Sequence, residues 1–492
     1  MEVVTAVPQE SAHVSTERFS EHFQLGKTQA ELDFVDVPID GDIPLFIDPF
    51  AISQREDRWS QDCYHTILSF FERAITAIRA GDSDTARELF SHLSEPNETR
   101  FGFSEGRPRG AGIGPNQAGR LLTALSESSA VQTGFLRSLE EAELMVRNIG
   151  RDKISDLTTN VIRGHLASYT KDQCELHKVP TQAVPLGPYY SLARVHWISD
   201  YFDLPVANDQ PVLLVPKVIA RFDPAYEHSK YYQSFVLSFL QAEHLAANSS
   251  LVRTLKNGNK VVYKKDIEAI FPGTKENIFQ FSRDHPEVLE QYREQLEQLE
   301  RTKKSSVVDQ EDDKLIAEAL STALASIPTG NDHASEYHQM MIGILEFIFF
   351  PNLVFPRKEH EIHQGRKRID IVMENGARTG IFARLHEVRG LPCAFAAIEC
   401  KNFGREVGNP EIDQLAGRFS PNRGKLGILS CRSFDDRARF IERCRDTLRD
   451  DRGLIVALDD ATVKEWLSLI TDGQRRRLDA EMTQLVDEVW LN

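Results

Sequence analysis

A glutamate and a lysine two residues apart, at the end of an apolar run, could do chemistry together. Ala394-Phe395-Ala396-Ala397-Ile398-Glu399-Cys400-Lys401 is apolar until its last three residues, as expected of a central strand buried on both faces. Strand side chains alternate, so Glu399 and Lys401 project from one face, ~6.6 Å apart, while Cys400 turns with Ile398 toward the core. A carboxylate and an ammonium at a buried strand end cost stability unless they find partners, and a metal ion would supply one. Asp370 lies between two isoleucines in Arg368-Ile369-Asp370-Ile371-Val372-Met373. If the two strands pair antiparallel, Asp370 can face Glu399. Two carboxylates with several waters suit Mg2+, which prefers oxygen ligands and keeps part of its hydration shell. Such an ion lowers the pKa of a bound water and stabilises charge on a scissile phosphate. Lys401 would orient or deprotonate that water, or stabilise the developing charge.

The elements that must position these groups alternate. A helix is expected over 335–350, then strands at 352–356, 368–373 and 394–401. A helix at 410–419, a strand at 426–431, a helix at 435–448, a strand at 454–458 and closing helices follow. Strands rich in β-branched residues between helices predict an α/β fold, a mixed sheet flanked by helices. The polar stretch 302–313 marks the boundary between a region at 1–313 and this domain at 314–492.

Asp370, then Glu399-Cys400-Lys401, then Gln414 within Glu411-Ile412-Asp413-Gln414-Leu415, resembles the PD-(D/E)XK restriction-endonuclease-like superfamily. The likeness is to its branch of Mrr-type restriction endonucleases and archaeal Holliday-junction resolvases, and covers roughly 334–460. The resemblance implies a restriction-endonuclease-like fold with Asp370 and Glu399 as metal ligands, Lys401 as the catalytic lysine and Gln414 as a supporting glutamine. A glutamate early in the first helix often completes that site; Glu336 fits by position, ahead of Glu346. Two departures stand out. Ile369 replaces the motif's proline, and 382–391 looks like an insertion whose loop would contact substrate or partner.

Basic groups flank the candidate site: Arg366, Lys367 and Arg368 before the first strand, and Arg405, Arg418, Arg423 and Lys425 after the second. These could meet a phosphodiester backbone without reading bases. The chain is acidic overall, with a formal net charge of −16, so it is no general polyanion binder. Within 351–450, however, basic groups outnumber acidic ones 19 to 14, which leaves room for a nucleic-acid face.

The 492 residues suit two or three domains, and 41% hydrophobic content is enough for real cores. The first 313 residues read as a mostly helical, mixed α/β region for sensing, specificity or partner binding. Apolar runs either side of Asp40-Gly41 predict a hairpin, and 64–92 carries a helical pattern. The helix at 286–304 presents Leu289, Tyr292, Leu296 and Leu299 on one stripe. That stripe either packs on its own domain or makes a homodimer or partner-protein contact. Gly114 to Leu121 lacks a phosphate loop's ending, because Arg120 and Leu121 stand where lysine and serine or threonine belong. His360 and His363 do not converge on one metal from an extended segment, and turn chemistry explains Asp40, Asp42 and Asp48. Six cysteines without a C-x-x-C pair fit a reducing compartment. The polar start has no signal-peptide core, and no apolar run reaches the ~20 residues of a membrane span. A cytoplasmic protein is expected.

These expectations combine into a Mg2+-dependent nuclease hydrolysing DNA phosphodiesters, with Mn2+ as a substitute metal and a role in prokaryotic defence against phage or plasmids. Two alternatives are a catalytically silent nuclease fold that binds nucleic acid or a partner, and an RNA-cleaving toxin on the same scaffold.

Overall fold

A computed structural model describes residues 17–102, 115–302, 310–358, 371–404 and 407–491. The chain is mixed α/β. Its N-terminal part is built on two long helices, α1 (Arg58–Ala80) and α2 (Arg151–His177), and a hairpin of β1 (Gln182–Ser191) and β2 (His196–Leu204). Asp57 caps α1 by accepting from Ser60 N at 2.8 Å, and the left-handed Gly81 closes it. That closure divides the helical pattern of 64–92 in two. The stripe Ile67, Phe70, Phe71, Ala74 and Ile78 then faces a core that draws on residues from Phe19 to Leu296 and on Val354 and Phe355.

The Asp40-Gly41 hairpin does not form. Its two arms pair instead with the segment around 215–221: Val35 N donates to Val215 O at 2.9 Å, and Phe46–Ile47 pairs with Ala220–Arg221. A long-range partner that buries both arms outweighs the local turn signal. In α3 (Pro286–Thr302), Leu289, Tyr292 and Leu296 are buried in the N-terminal core and only Leu299 is exposed. The stripe is therefore used within its own chain, the first of its two readings.

The C-terminal part runs α4 (Gln310–Ser326), α5 (Ala334–Phe349), β3 (Leu353–Arg357), β4 (Ile371–Asn375), α6 (Gly380–Glu387), β5 (Phe395–Lys401), α7 (Asn409–Ala416), β6 (Leu426–Cys431), α8 (Arg437–Arg449), β7 (Leu454–Asp459), α9 (Asp460–Thr471) and α10 (Leu478–Trp490). The five strands form one mixed sheet in the order β7-β6-β5-β4-β3. The β3–β4 and β4–β5 pairs are antiparallel; β5–β6 and β6–β7 are parallel. Each parallel step needs a crossover, and α7 and α8 supply them. The 382–391 segment is not a simple loop. Most of it is α6, tied to α10 by a 2.6 Å bond from Ile381 N to Asp479 Oδ1.

β5 is the middle strand, and its register fixes the faces. Ile371 pairs with Ile398 and Val372 with Ala397; Glu399 pairs with Leu429 and Lys401 with Cys431. Cys400 and Ser430 point to the other face, where Tyr337 of α5 bonds Ser430 Oγ at 3.1 Å. α7 covers the Glu399 face. It approaches closely because β6 presents Gly427 there: a Cβ would lie 2.7 Å from Phe419 Cζ and 2.8 Å from Leu415 Cδ2.

The two parts meet through buried polar contacts as well as apolar ones. Lys217 and Glu346 form an ion pair at 3.1 Å with both side chains fully enclosed. Asp33 accepts from Tyr169 Oη at 2.7 Å and from Phe355 N at 3.1 Å.

Candidate functional site

The site is built on the last turn of the β5 pleat. Glu399 is 1% exposed although it is a carboxylate, and burial of that kind demands partners. Lys401, on the same face, donates Nζ to Glu399 Oε1. Gln414 of α7 donates Nε2 to the same oxygen at 3.0 Å. Arg418, four residues further on, donates Nη1 to Glu399 Oε2 with both side chains buried. One carboxylate thus gathers an ammonium, an amide and a guanidinium from a strand, a helix and the turn after it.

Of the residues expected at the site, Glu399, Lys401 and Gln414 converge. Arg418 was expected on a basic surface facing a phosphate backbone; it is 3% exposed and held by Glu399, so its first role is inside the site. Glu336 does not join them. It is exposed on α5 and pairs with His333 at 3.1 Å. Glu346 is further away still, in the ion pair with Lys217. Asp370, Arg366, Lys367, Arg368 and Arg405 lie outside the described residues, as do His360 and His363.

His338 is the neighbour that motif reading missed. It lies two residues beyond Glu336, and a step of two turns a helix face by about 200°. Burial pulls its pKa down to about 4; Lys358, Lys178 and Lys401 push it the same way and Glu399 opposes. His338 is therefore neutral at pH 7, and its buried Nε2 has no hydrogen-bond partner among the described residues. Helical rotation from Glu336 was the one available signal for it. For Arg418 the signal was its spacing of four from Gln414.

Among the described residues, no three histidine, cysteine or carboxylate groups gather as a metal cage. The described part of this site contributes Glu399 as an oxygen donor, with Lys401 and Arg418 on its two oxygens. A divalent ion there would require one of these cations to release its oxygen, and a second carboxylate from outside that set. The arrangement can hold a polyanion close to a carboxylate, and can orient a water at the Glu399–Lys401 pair.

Comparison with known proteins adds little about chemistry. A family described as a domain of unknown function, DUF8370, matches residues 24–227. The "Putative transposon gamma-delta 80.3 kDa protein" of Escherichia coli (strain K12) is 24% identical over 171 residues, 34% of this chain and 24% of that protein. No solved structure matches. No helix among the described residues is long and apolar enough to cross a membrane.

Proposed function

We propose that the chain is a metal-dependent nuclease that hydrolyses DNA phosphodiester bonds from a restriction-endonuclease-like C-terminal domain. The carrying observation is the convergence of Lys401 and Gln414 on one buried glutamate at the end of the central strand. An E-x-K pair on an exposed strand is an ordinary ion pair; one buried under a helix that adds a glutamine is a built site. The sheet order, with antiparallel pairs followed by parallel ones, supports this reading.

The proposal requires Asp370, the chain neighbour of Ile371, to continue the Ile371–Ile398 register and so come opposite Glu399. These two carboxylates would hold Mg2+, or Mn2+ in its place. The ion would supply an activated water and charge neutralisation at the phosphate. Lys401, released from Glu399, would hold its proton donors toward the attacked phosphate. Gln414 would keep the Glu399 carboxylate oriented, and neutral His338 would leave the local charge unchanged at pH 7. The likeness to a transposon protein is consistent with a DNA substrate, and defence against foreign DNA is a fitting role. The test is incubation of the full chain with plasmid, linear and single-stranded DNA and with RNA, in Mg2+ or EDTA. Metal-dependent DNA cleavage is expected; cleavage of RNA alone would overturn the substrate assignment.

One observation favours a second reading. Cations already sit on both oxygens of Glu399, which suits a fold that binds nucleic acid without cutting it. That reading predicts metal-independent binding and no effect of Glu399→Ala on function.

A further inference from the structure

Beside the Glu399 cluster lies a cavity of about 190 Å3 lined by Arg58, Arg357, Arg418, Arg423, Phe395 and Phe419. A site of ~150 Å3 suffices for a benzene ring, so a phosphate with part of its sugar fits. No acidic residue among the described residues lines the cavity. The acids behind it are committed: Glu399 to Arg418, and Glu374 to Arg357 at 2.8 Å, while Asp62 stands 3.7 Å from Arg58 on the exposed rim.

Arg418 is the telling residue. It is 3% exposed, yet its Nε and Nη2 have no hydrogen-bond partner among the described residues. A guanidinium has five donors in a fixed fork, and burying the three on these two nitrogens unpaired is costly. An oxyanion in the cavity would answer both. Arg357 forms a wall and stacks 5.5 Å from the Phe395 ring centroid. Arg423 sits on a turn closed by Gly424 N to Ser420 O at 2.9 Å. Arg58 comes from the N-terminal part, and its helix start is fastened to the sheet by Trp59 N bonding Glu374 Oε2 at 3.0 Å.

We propose that this cavity is a phosphate-binding subsite that holds a nucleic-acid strand, with Arg418 at its floor, Arg357 on its wall, and Arg58 and Arg423 at its rim. Its place on the strand's path rests on the nuclease reading. Ala397, which also lines it, stands two residues or about 6.6 Å before Glu399 on β5. The phosphate held would therefore be a near neighbour of the one at Glu399, either a chain end or an internal phosphate.

The test is fluorescence anisotropy of the full chain in EDTA. The probes are single-stranded DNA oligonucleotides carrying a 5′-phosphate, a 3′-phosphate or two hydroxyl ends. Arg58→Ala and Arg423→Ala remove exposed cations, and unchanged melting temperatures confirm folding. Each should weaken binding about tenfold and lower the salt-dependence slope by about 1; Arg423→Lys should restore part of the affinity. A loss confined to one phosphorylated end assigns a chain end, whereas an equal loss on all probes assigns an internal phosphate. Affinity unchanged in both variants on every probe would overturn the subsite. Binding that depends on the arginines without any Mg2+-dependent cleavage would keep the subsite and remove the nuclease reading; cleavage with arginine-independent binding would do the reverse.

Discussion

Glu399 is held by partners whose removal has different consequences. Arg418 and Glu399 are both enclosed, and taking one member from a buried pair leaves a charge with no solvent to receive it. Arg418→Ala should therefore lower unfolding free energy by about 3 kcal/mol, read by denaturant titration, while Arg418→Lys should recover only part because a point charge replaces a fork. Lys401 is 16% exposed, and Glu399 keeps Arg418 when it is removed, so Lys401→Ala should cost less stability than Arg418→Ala and act mainly on cleavage. His338 should titrate near pH 4 in an NMR experiment, since burial holds its pKa there; a midpoint near 6.5 would place it in solvent. Glu399, Lys401 and Gln414 were legible because alternation along a strand and an adjoining helix need no distant information. The bond from Arg418 to Glu399 was not legible, because a lone arginine looks the same in sequence whether it faces solvent or a buried carboxylate. Glu336 was chosen by position along its helix, and rotation about the axis decided against it.

At the scale of elements, the C-terminal alternation of strands and helices was readable and the N-terminal pairing was not. Apolar runs such as Leu426 to Cys431 declare themselves because both faces are buried. Asp40-Gly41 misled because turn chemistry is local, whereas Val35 and Phe46 find partners some 175 residues away. Gly424 shows how a turn positions the subsite. Its φ is +94°, and a Cβ would lie 2.6 Å from the Phe395 carbonyl oxygen. Backbone cannot yield as a side chain can, so Gly424→Ala should cost about 2 kcal/mol or more and displace Arg423. A melting temperature equal to wild type would contradict that assignment of the turn.

Across the whole molecule, the N-terminal and C-terminal parts share the enclosed Lys217–Glu346 contact, which changes what truncation would do. Glu346 is enclosed, and burial raises its pKa to about 8, with Lys217 opposing and Asp33 adding. Its ordinary value is 4.5, so between about pH 4.5 and 8 the folded state retains a proton that the unfolded state has lost. The linkage slope is then negative: this group's contribution to stability is full below pH 4.5 and is lost as pH rises through 8. Glu346→Gln should flatten that fall, measured as melting temperature against pH; an unchanged profile would contradict the buried pair. Removing residues 1–313 would strip Lys217 from Glu346 and expose Val354 and Phe355, which pack in the N-terminal core. The isolated C-terminal part should therefore be unstable rather than a more active enzyme, and it would also lack Arg58 at the rim of the proposed subsite. The central claim concerns Glu399, and it is tested most directly by DNA cleavage by the full chain in Mg2+ or EDTA, run beside Glu399→Ala and Lys401→Ala. The account predicts cleavage that requires the metal and disappears in both variants. Cleavage that survives EDTA or persists in both variants would contradict it.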